Sequence, residues 1–143
     1  MSKIYIIYWS QTGNTLAMAA AIGEGISEAG KEASVIEVSS ASIDDIINSD
    51  VFALGCPSMG VEVLEDTEME PFVCEVEKIV KGKKLALFGS YGWGDGEWMR
   101  DWETRMKNAG AILVNNKGLI CNESPDADGI EECKMLGKTL ANI

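Results

Sequence analysis

The segment Ile4-Tyr5-Ile6-Ile7-Tyr8-Trp9-Ser10-Gln11-Thr12-Gly13-Asn14-Thr15 decides the fold of this chain. An almost unbroken apolar run ends at Trp9, and six uncharged, mostly polar residues separate it from a helical pattern that begins at Leu16. Such apolar strands are typical of parallel sheets covered on both faces. The loop presents hydroxyls and backbone N–H groups at a helix N-terminus, where the helix dipole favours an anion. We interpret Ser10–Thr15 as a phosphate loop; the alternative is a polar turn whose Thr12 or Asn14 only caps the helix.

The rest of the chain alternates short apolar strands with amphipathic helices, which indicates parallel βαβ units. The predicted strands are 3–9, 33–38, 51–56, 83–90 and a fifth built from 111–114 and 118–121. The predicted helices are 14–29, 42–48, one beginning at Pro71, 97–109, and a last one with Ser124 as N-cap and Pro125 in its first turn. We expect a single α/β domain over residues 1–143, a doubly wound three-layer sandwich around a five-stranded parallel sheet.

Composition argues against two classes of partner. The chain has 12 basic and 23 acidic residues, a net charge of −11, and no histidine. This charge disfavours binding to nucleic acid or to an anionic membrane surface, and it fits either a basic partner or simple solubility. The scattered cysteines have no metal-site spacing, and we expect free thiols, with Cys56 and Cys74 as small core residues. The first strand begins directly after Ser2, and no apolar run has membrane-spanning length, so we expect a cytoplasmic protein.

Two more loops follow strands at the edge where doubly wound sheets bind ligands. The loop 56–62 contains Met59-Gly60, which suits a turn that needs glycine, although an ordinary turn is the alternative. The loop 90–98 is rich in glycine and offers aromatic faces at Tyr91 and Trp93. Trp98 and Trp102 are one helical turn apart, and we expect them to pack in the core instead. A phosphate loop, a flexible turn and a stacking platform together predict a phosphorylated planar ring as the ligand.

At these residues the chain resembles the flavodoxin family, specifically its short-chain branch. The resemblance runs nearly end to end, and its most specific segments are Tyr8–Thr15, Gly55–Gly60 and Phe88–Trp98. The stretch between Gly110 and Ser124 has no room for the insertion of the long-chain branch. The resemblance implies a flavodoxin-like fold with strand order 2-1-3-4-5 and FMN bound without covalent attachment.

The resemblance also implies a role for individual loop residues. The side chains at 10, 12, 14 and 15, the backbone N–H groups of 11–15, and the Ser90 hydroxyl would hold the phosphate end. Met59 would pack on the inner face of the isoalloxazine and Trp93 on the outer face. The Gly60 carbonyl would turn toward flavin N5–H, the Glu62 carboxylate would accept from N3–H, and the N–H groups of Gly92 and Trp93 would face O2 and N1. The predicted cofactor-binding residues are Ser10, Gln11, Thr12, Gly13, Asn14, Thr15, Pro57, Ser58, Met59, Gly60, Val61, Glu62, Ser90, Tyr91, Gly92, Trp93, Gly94 and Asp95.

Two of these positions depart from the family pattern. Pro57 stands where some relatives have serine, which removes one phosphate contact. Val61 stands where others have Asp, Ser or Gly, and its branched side chain resists turn conformations next to Gly60.

From these residues we predict a low-potential one-electron carrier, not an enzyme, that works mainly between semiquinone and hydroquinone. A peptide carbonyl facing N5–H favours the one-electron state, whereas burial and like charge oppose the reduced anion. The alternative is an FMN-dependent NAD(P)H or quinone reductase of the same fold. We expect a monomer whose acidic residues near the loops bind basic redox proteins. The alternative is that these residues only form a solvated acidic surface. Those residues are Glu62, Glu65, Asp66, Glu68, Asp95 and Glu97.

Overall fold

The computed structural model describes residues 3–143, in which strands and helices alternate along the chain. The strands are β1 (Lys3–Tyr8), β2 (Glu32–Glu37), β3 (Val51–Gly55), β4 (Lys84–Tyr91), β5 (Ile112–Leu113) and β6 (Leu119–Asn122). The helices are α1 (Asn14–Glu28), α2 (Ile43–Ile46), α3 (Met69–Glu77), α4 (Glu97–Asn108) and α5 (Ala127–Ala141). Within 3–143, no helix combines the length and the apolar character that a membrane crossing requires.

The sheet is parallel and has the order β2-β1-β3-β4-β5, which confirms the predicted order. The two segments from which the fifth strand was predicted form two separate short strands. β5 pairs with the start of β4, and β6 pairs with its end, opposite Phe88–Tyr91. Between them Asn115 and Asn116 take left-handed backbone angles, φ 63° and 64°, which break the extended strand. The break leaves β6 free to run beside the end of β4.

Two apolar clusters, one on each face of the sheet, make the three layers. Alternate residues of β1 belong to different clusters, because successive side chains of a strand point to opposite faces. Ile6 packs with α1 and α5, whereas Ile7 packs with α2, α3 and α4. Trp98 and Trp102 are 1% exposed and belong to the cluster that contains Ile7, which confirms their prediction as core residues.

Helices α1 and α5 approach each other closely through two glycines. A Cβ added at Gly25 would lie 2.0 Å from the backbone oxygen of Lys134, and one added at Gly137 would lie 2.1 Å from that of Ile22. Only glycine allows this separation, so the contact fixes α1, whose N-terminus carries the first loop of the site.

Three local predictions were wrong. α5 begins with Asp126 as its N-cap, not Ser124, because the Asp126 carboxylate accepts the Gly129 N–H at 2.8 Å. α3 begins at Met69, two residues before Pro71, because a first turn tolerates proline after its initial residues. Cys74 is exposed on α3, and its thiol contacts Glu70 and Arg105 instead of the core.

Candidate functional site

A cavity of about 460 Å³ lies at the carboxyl ends of β1, β3 and β4. This volume is within the range of cofactor sites, about 300 to 1,000 Å³. All three predicted loops contribute to its walls, and no lysine or arginine among residues 3–143 lines it. The lining residues are Ser10, Gln11, Thr12, Asn14, Thr15, Pro57, Ser58, Met59, Ser90, Tyr91, Gly92, Glu123 and Ser124.

The first loop is folded so that its polar groups remain available. Gly13 has φ 95°, a left-handed angle that favours glycine, and precedes α1 as its N-cap. Ser10 Oγ accepts the N–H groups of Gly13 at 3.2 Å and Leu16 at 3.3 Å, which leaves its O–H free to donate. In the described part of the chain, the N–H groups of 11, 12, 14 and 15 have no hydrogen-bond acceptor. These donors sit at the positive end of a 15-residue helix, which suits an anion.

Two buried hydroxyls form the floor between the first and third loops. Thr15 Oγ1 lies 3.0 Å from Ser90 Oγ, and the two residues are 1% and 4% exposed. One hydroxyl donates to the other, so one O–H remains for a ligand in the cavity. The pair also joins the start of α1 to the end of β4.

The second loop forms a short hairpin. Met59 and Val63 exchange both backbone hydrogen bonds, at 2.8 and 2.9 Å, around Gly60-Val61-Glu62. Gly60 has φ 51° and Glu62 has φ 48°, whereas Val61 avoids a positive φ and is 83% exposed. The branched side chain of Val61 therefore does not occupy a left-handed position of this turn.

Glu62 joins this hairpin to the third loop. Its Oε1 accepts the N–H groups of Gly96 at 3.2 Å and Glu97 at 2.9 Å, at the start of α4. The carboxylate packs so closely against Gly94 that a Cβ there would lie 2.6 Å from Glu62 Cδ. Trp93 stands on this loop 63% exposed, which places its ring outside the core.

Glu65 is not a surface residue, which corrects its prediction as part of an acidic docking face. It is 5% exposed, and its carboxylate accepts the N–H groups of Glu68 at 2.8 Å and Met69 at 2.9 Å, together with the N–H group and the hydroxyl of Thr67. Burial alone would raise the pKa of Glu65, but hydrogen bonds from Thr67, Met69 and Glu68 outweigh it and lower the pKa below its usual range. Asp66, Glu68, Asp95 and Glu97 are exposed.

The structure brings most of the predicted site residues to one cavity. Eleven of the eighteen line it, and the other seven lie beside it on the same three loops: Gly13, Gly60, Val61, Glu62, Trp93, Gly94 and Asp95. The sequence analysis missed Glu123 and Ser124, which line the cavity after β6. The rule that ligands bind beyond the carboxyl ends of parallel strands could have identified both residues, because β6 also ends at that edge, beside β4.

Comparison with known proteins places this architecture in a family. The family model described as flavodoxin matches residues 6–137. The chain is 50% identical to the flavodoxin of Clostridium beijerinckii over 138 residues, 96% of this chain and 99% of that protein. It is 45% identical to the flavodoxin of Megasphaera elsdenii, over 96% and 98% of the two chains. The solution structure of two-electron reduced Megasphaera elsdenii flavodoxin superposes with a TM-score of 0.90 at 44% identity, covering 98% of this chain and 99% of that one. The chain therefore belongs to the flavodoxin family.

Proposed function

We propose that this flavodoxin carries single electrons on FMN held in the 460 Å³ cavity by the three loops. The observation that carries the proposal is the convergence of unpaired donors, a glycine turn and an exposed tryptophan at one edge of the sheet. When bound, FMN supplies the redox chemistry; the protein supplies binding, orientation and electrostatics. Flavodoxins are electron-transfer proteins and not enzymes, and this chain, as a member of the family, is an electron carrier.

The donors of the first loop suit the phosphate of FMN. The Ser10 hydroxyl, the Thr15–Ser90 pair and the N–H groups at the start of α1 supply hydrogen bonds without a cation. Thr12 and Asn14 add polar side chains at the same wall. A phosphate that is only held, and not transferred, needs no lysine or metal ion in addition.

The other two loops suit the ring. Met59 lines the cavity on one side, and Trp93 stands free to cover the opposite face. The Glu62 carboxylate uses Oε1 for the backbone of α4, so Oε2 is available to a ring N–H. The peptide after Gly60 lies in the hairpin turn, where its carbonyl can face the ring edge. Pro57, Ser58, Tyr91 and Gly92 complete the walls, with Val61, Gly94 and Asp95 at the rim.

The electrostatics of the cavity favour a low reduction potential for the second electron. The cavity has no lysine or arginine among its lining residues within 3–143, and the chain carries a net charge of −11. Extra negative charge in such a site is disfavoured both by partial burial and by like charges nearby. We therefore expect the second electron to enter only at low potential.

Replacing Trp93 with alanine tests the stacking role. Because Trp93 is 63% exposed, its loss should change the free energy of unfolding of the apoprotein by less than about 0.5 kcal/mol. Aromatic stacking on a heterocycle contributes about 1–3 kcal/mol, so the dissociation constant for FMN should rise about ten- to a hundredfold. Titration of apoprotein with FMN, followed by fluorescence quenching, measures this, with Trp93→Phe as the control that keeps a ring. Equal binding by the alanine variant and the parent would mean that Trp93 does not contact the flavin.

Replacing Gly60 with alanine tests the turn. Gly60 has φ 51°, and alanine at a left-handed angle costs about 1 kcal/mol. Alanine therefore restricts the orientations that the peptide after residue 60 can adopt. We expect the first one-electron midpoint potential to fall by about 40 mV. Gly30→Ala is the control, because Gly30 also has a positive φ, 87°, but follows α1 away from the cavity. Unchanged potentials in Gly60→Ala would contradict the assignment of Gly60.

The exposed rim suits a basic redox partner. Val61, Val63 and Trp93 are 83%, 53% and 63% exposed beside the cavity, and the exposed carboxylates of Asp66, Glu68, Asp95 and Glu97 lie close to them along the chain. An apolar centre inside a charged ring is typical of transient protein interfaces, and the charge guides association. Electron transfer to a basic redox protein should therefore slow steeply as salt is raised; a rate independent of salt would contradict this docking face.

A redox titration of the holoprotein tests the function itself. A carrier should be reduced in two separate one-electron steps under optical monitoring, whereas NADPH alone should leave the flavin oxidised. Rapid bleaching by NADPH, or a single two-electron step, would favour the reductase alternative.

We further propose that the protein acts as a monomer in a reducing compartment. The four free thiols support the reducing compartment, and gel filtration of the holoprotein tests the monomer.

A further inference from the structure

The carboxylate of Glu65 is buried and hydrogen-bonded but has no role in the proposed function. Helix α3 begins after Glu68, whose side chain makes no capping hydrogen bond. Glu68 Oε1 instead accepts the indole N–H of Trp9 at 3.1 Å, which ties the residue before the phosphate loop to this helix. The cap of α3 is supplied by Glu65, which accepts the N–H groups of Glu68 and Met69 from outside the helix. The first turn of α3 thus joins two loops of the site.

The backbone of Glu65 closes the second loop at its base. Its N–H donates to Cys56 Sγ at 3.4 Å, and the Cys56 thiol donates to the Pro57 carbonyl at 3.4 Å. Cys56 is fully buried and fixed on both sides, because its N–H donates to Phe88 O at 3.1 Å and its carbonyl accepts the Trp98 indole N–H at 3.1 Å. The two ends of the segment 57–64 are therefore both attached to one buried, hydrogen-bonded residue of the core.

We propose that Glu65 is a positioning residue of the flavin site, which fixes the Met59–Val63 hairpin against the cavity by joining its base to the first turn of α3. The inference rests on the proposed function, in which Met59 and Gly60 contact the flavin. A carboxylate that only stabilised α3 would not need to come from the segment that leaves the hairpin. Hydrogen bonds from N–H groups to a carboxylate are stronger than neutral ones and are suited to holding a loop in place.

Glu65→Gln is the first test. The change keeps the shape of the side chain but replaces one acceptor oxygen by an NH₂ group. Because Oε2 accepts from Thr67 and Oε1 from Glu68 and Met69, one of these two sets of N–H donors loses its acceptor. We expect the dissociation constant for FMN to rise about tenfold and the two one-electron midpoint potentials to move closer together. Both are measured on the reconstituted full chain, by fluorescence titration and by spectroelectrochemistry.

Asp45→Asn is the matched control. Asp45 Oδ2 accepts the Ser42 N–H at 2.9 Å at the start of α2, so this variant also removes one negative charge from a helix N-terminus, away from the cavity, while its amide oxygen can still accept the Ser42 N–H. It should lower the stability to urea while leaving FMN binding and both potentials at the parent values. If Glu65→Gln behaves in the same way as Asp45→Asn, Glu65 is a helix cap only and the inference is overturned.

A second pair of variants tests the backbone half of the connection without changing charge. Cys56→Ala leaves the Glu65 N–H without its acceptor and should shift binding and potentials in the same direction as Glu65→Gln, whereas Cys56→Ser should restore them. This pair separates the effect of the position of the hairpin from the effect of charge. It also tests the inference if Glu65→Gln fails to fold. Parent-like potentials in Cys56→Ala would overturn the inference. The proposed function fails separately, if the parent protein itself does not bind FMN or is not reduced in two one-electron steps.

Discussion

Replacing Asn14 with aspartate should weaken FMN binding by about a hundredfold or more without destabilising the apoprotein. Asn14 is the first residue of α1 and lines the cavity, and the first turn of this helix has no acidic residue. Two like charges about 4 Å apart near a protein surface repel by about 4 kcal/mol, so a carboxylate beside the phosphate is strongly unfavourable. The same carboxylate at a helix N-terminus is favourable, by about 0.3–1 kcal/mol. Stability and binding should thus change in opposite directions.

Three measurements separate this effect from others. Fluorescence titration gives the dissociation constant for FMN, and urea unfolding of the apoprotein gives its stability. Riboflavin lacks the phosphate, so its binding should differ by less than about twofold between Asn14→Asp and the parent. Asn48→Asp adds the same charge at an exposed position before β3, at the opposite edge of the sheet, and should leave FMN binding unchanged. Parent-like FMN binding by Asn14→Asp would mean that the phosphate lies elsewhere.

Replacing Gly137 with alanine should lower the free energy of unfolding by about 2–3 kcal/mol, because the added methyl group overpacks a contact with backbone. The new Cβ would lie 2.1 Å from the Ile22 backbone oxygen, and backbone cannot move aside without separating α1 from α5. Because whole domains are stable by only about 5–15 kcal/mol, the loss should be evident in the urea midpoint.

Gly23→Ala is the matched control on the facing helix. Its Cβ would meet the end of a side chain, Val35 Cγ2 at 2.8 Å, which can rotate away. Alanine also improves helix propensity by about 1 kcal/mol, so Gly23→Ala should be close to neutral. Equal midpoints for Gly137→Ala and Gly23→Ala would show that α1 and α5 are not in backbone contact.

Much of the fold and the site could be predicted because they depend on local patterns. The apolar run at β1 and the glycine and proline residues at element ends identify the strands, and parallel strands bring their following loops to one edge. These patterns suffice to place Ser10–Thr15, Met59-Gly60 and Trp93 at one edge of the sheet. The remaining features depend on contacts between distant residues.

Three differences illustrate the limit. Glu65 is one of five acidic residues between positions 62 and 70, and only the position of α3 decides which carboxylate is buried. Glu123 and Ser124 reach the cavity because β6 pairs with the end of β4, and the apolar segments 111–114 and 118–121 do not show to which part of β4 each of them pairs. Cys56 and Cys74 have similar apolar neighbours in sequence, yet one is core and the other exposed. In each case burial follows from packing and not from residue type.

The division of the last strand also makes this protein a convenient scaffold. Residues 115–117 are exposed, and the backbone there has already left the sheet, so neither β5 nor β6 needs the connection to be short. Such exposed turns are the preferred sites for inserted peptides and new chain termini. A reporter domain or a partner-binding peptide could be grafted between Asn115 and Lys117, on a part of the chain that contributes nothing to the flavin cavity.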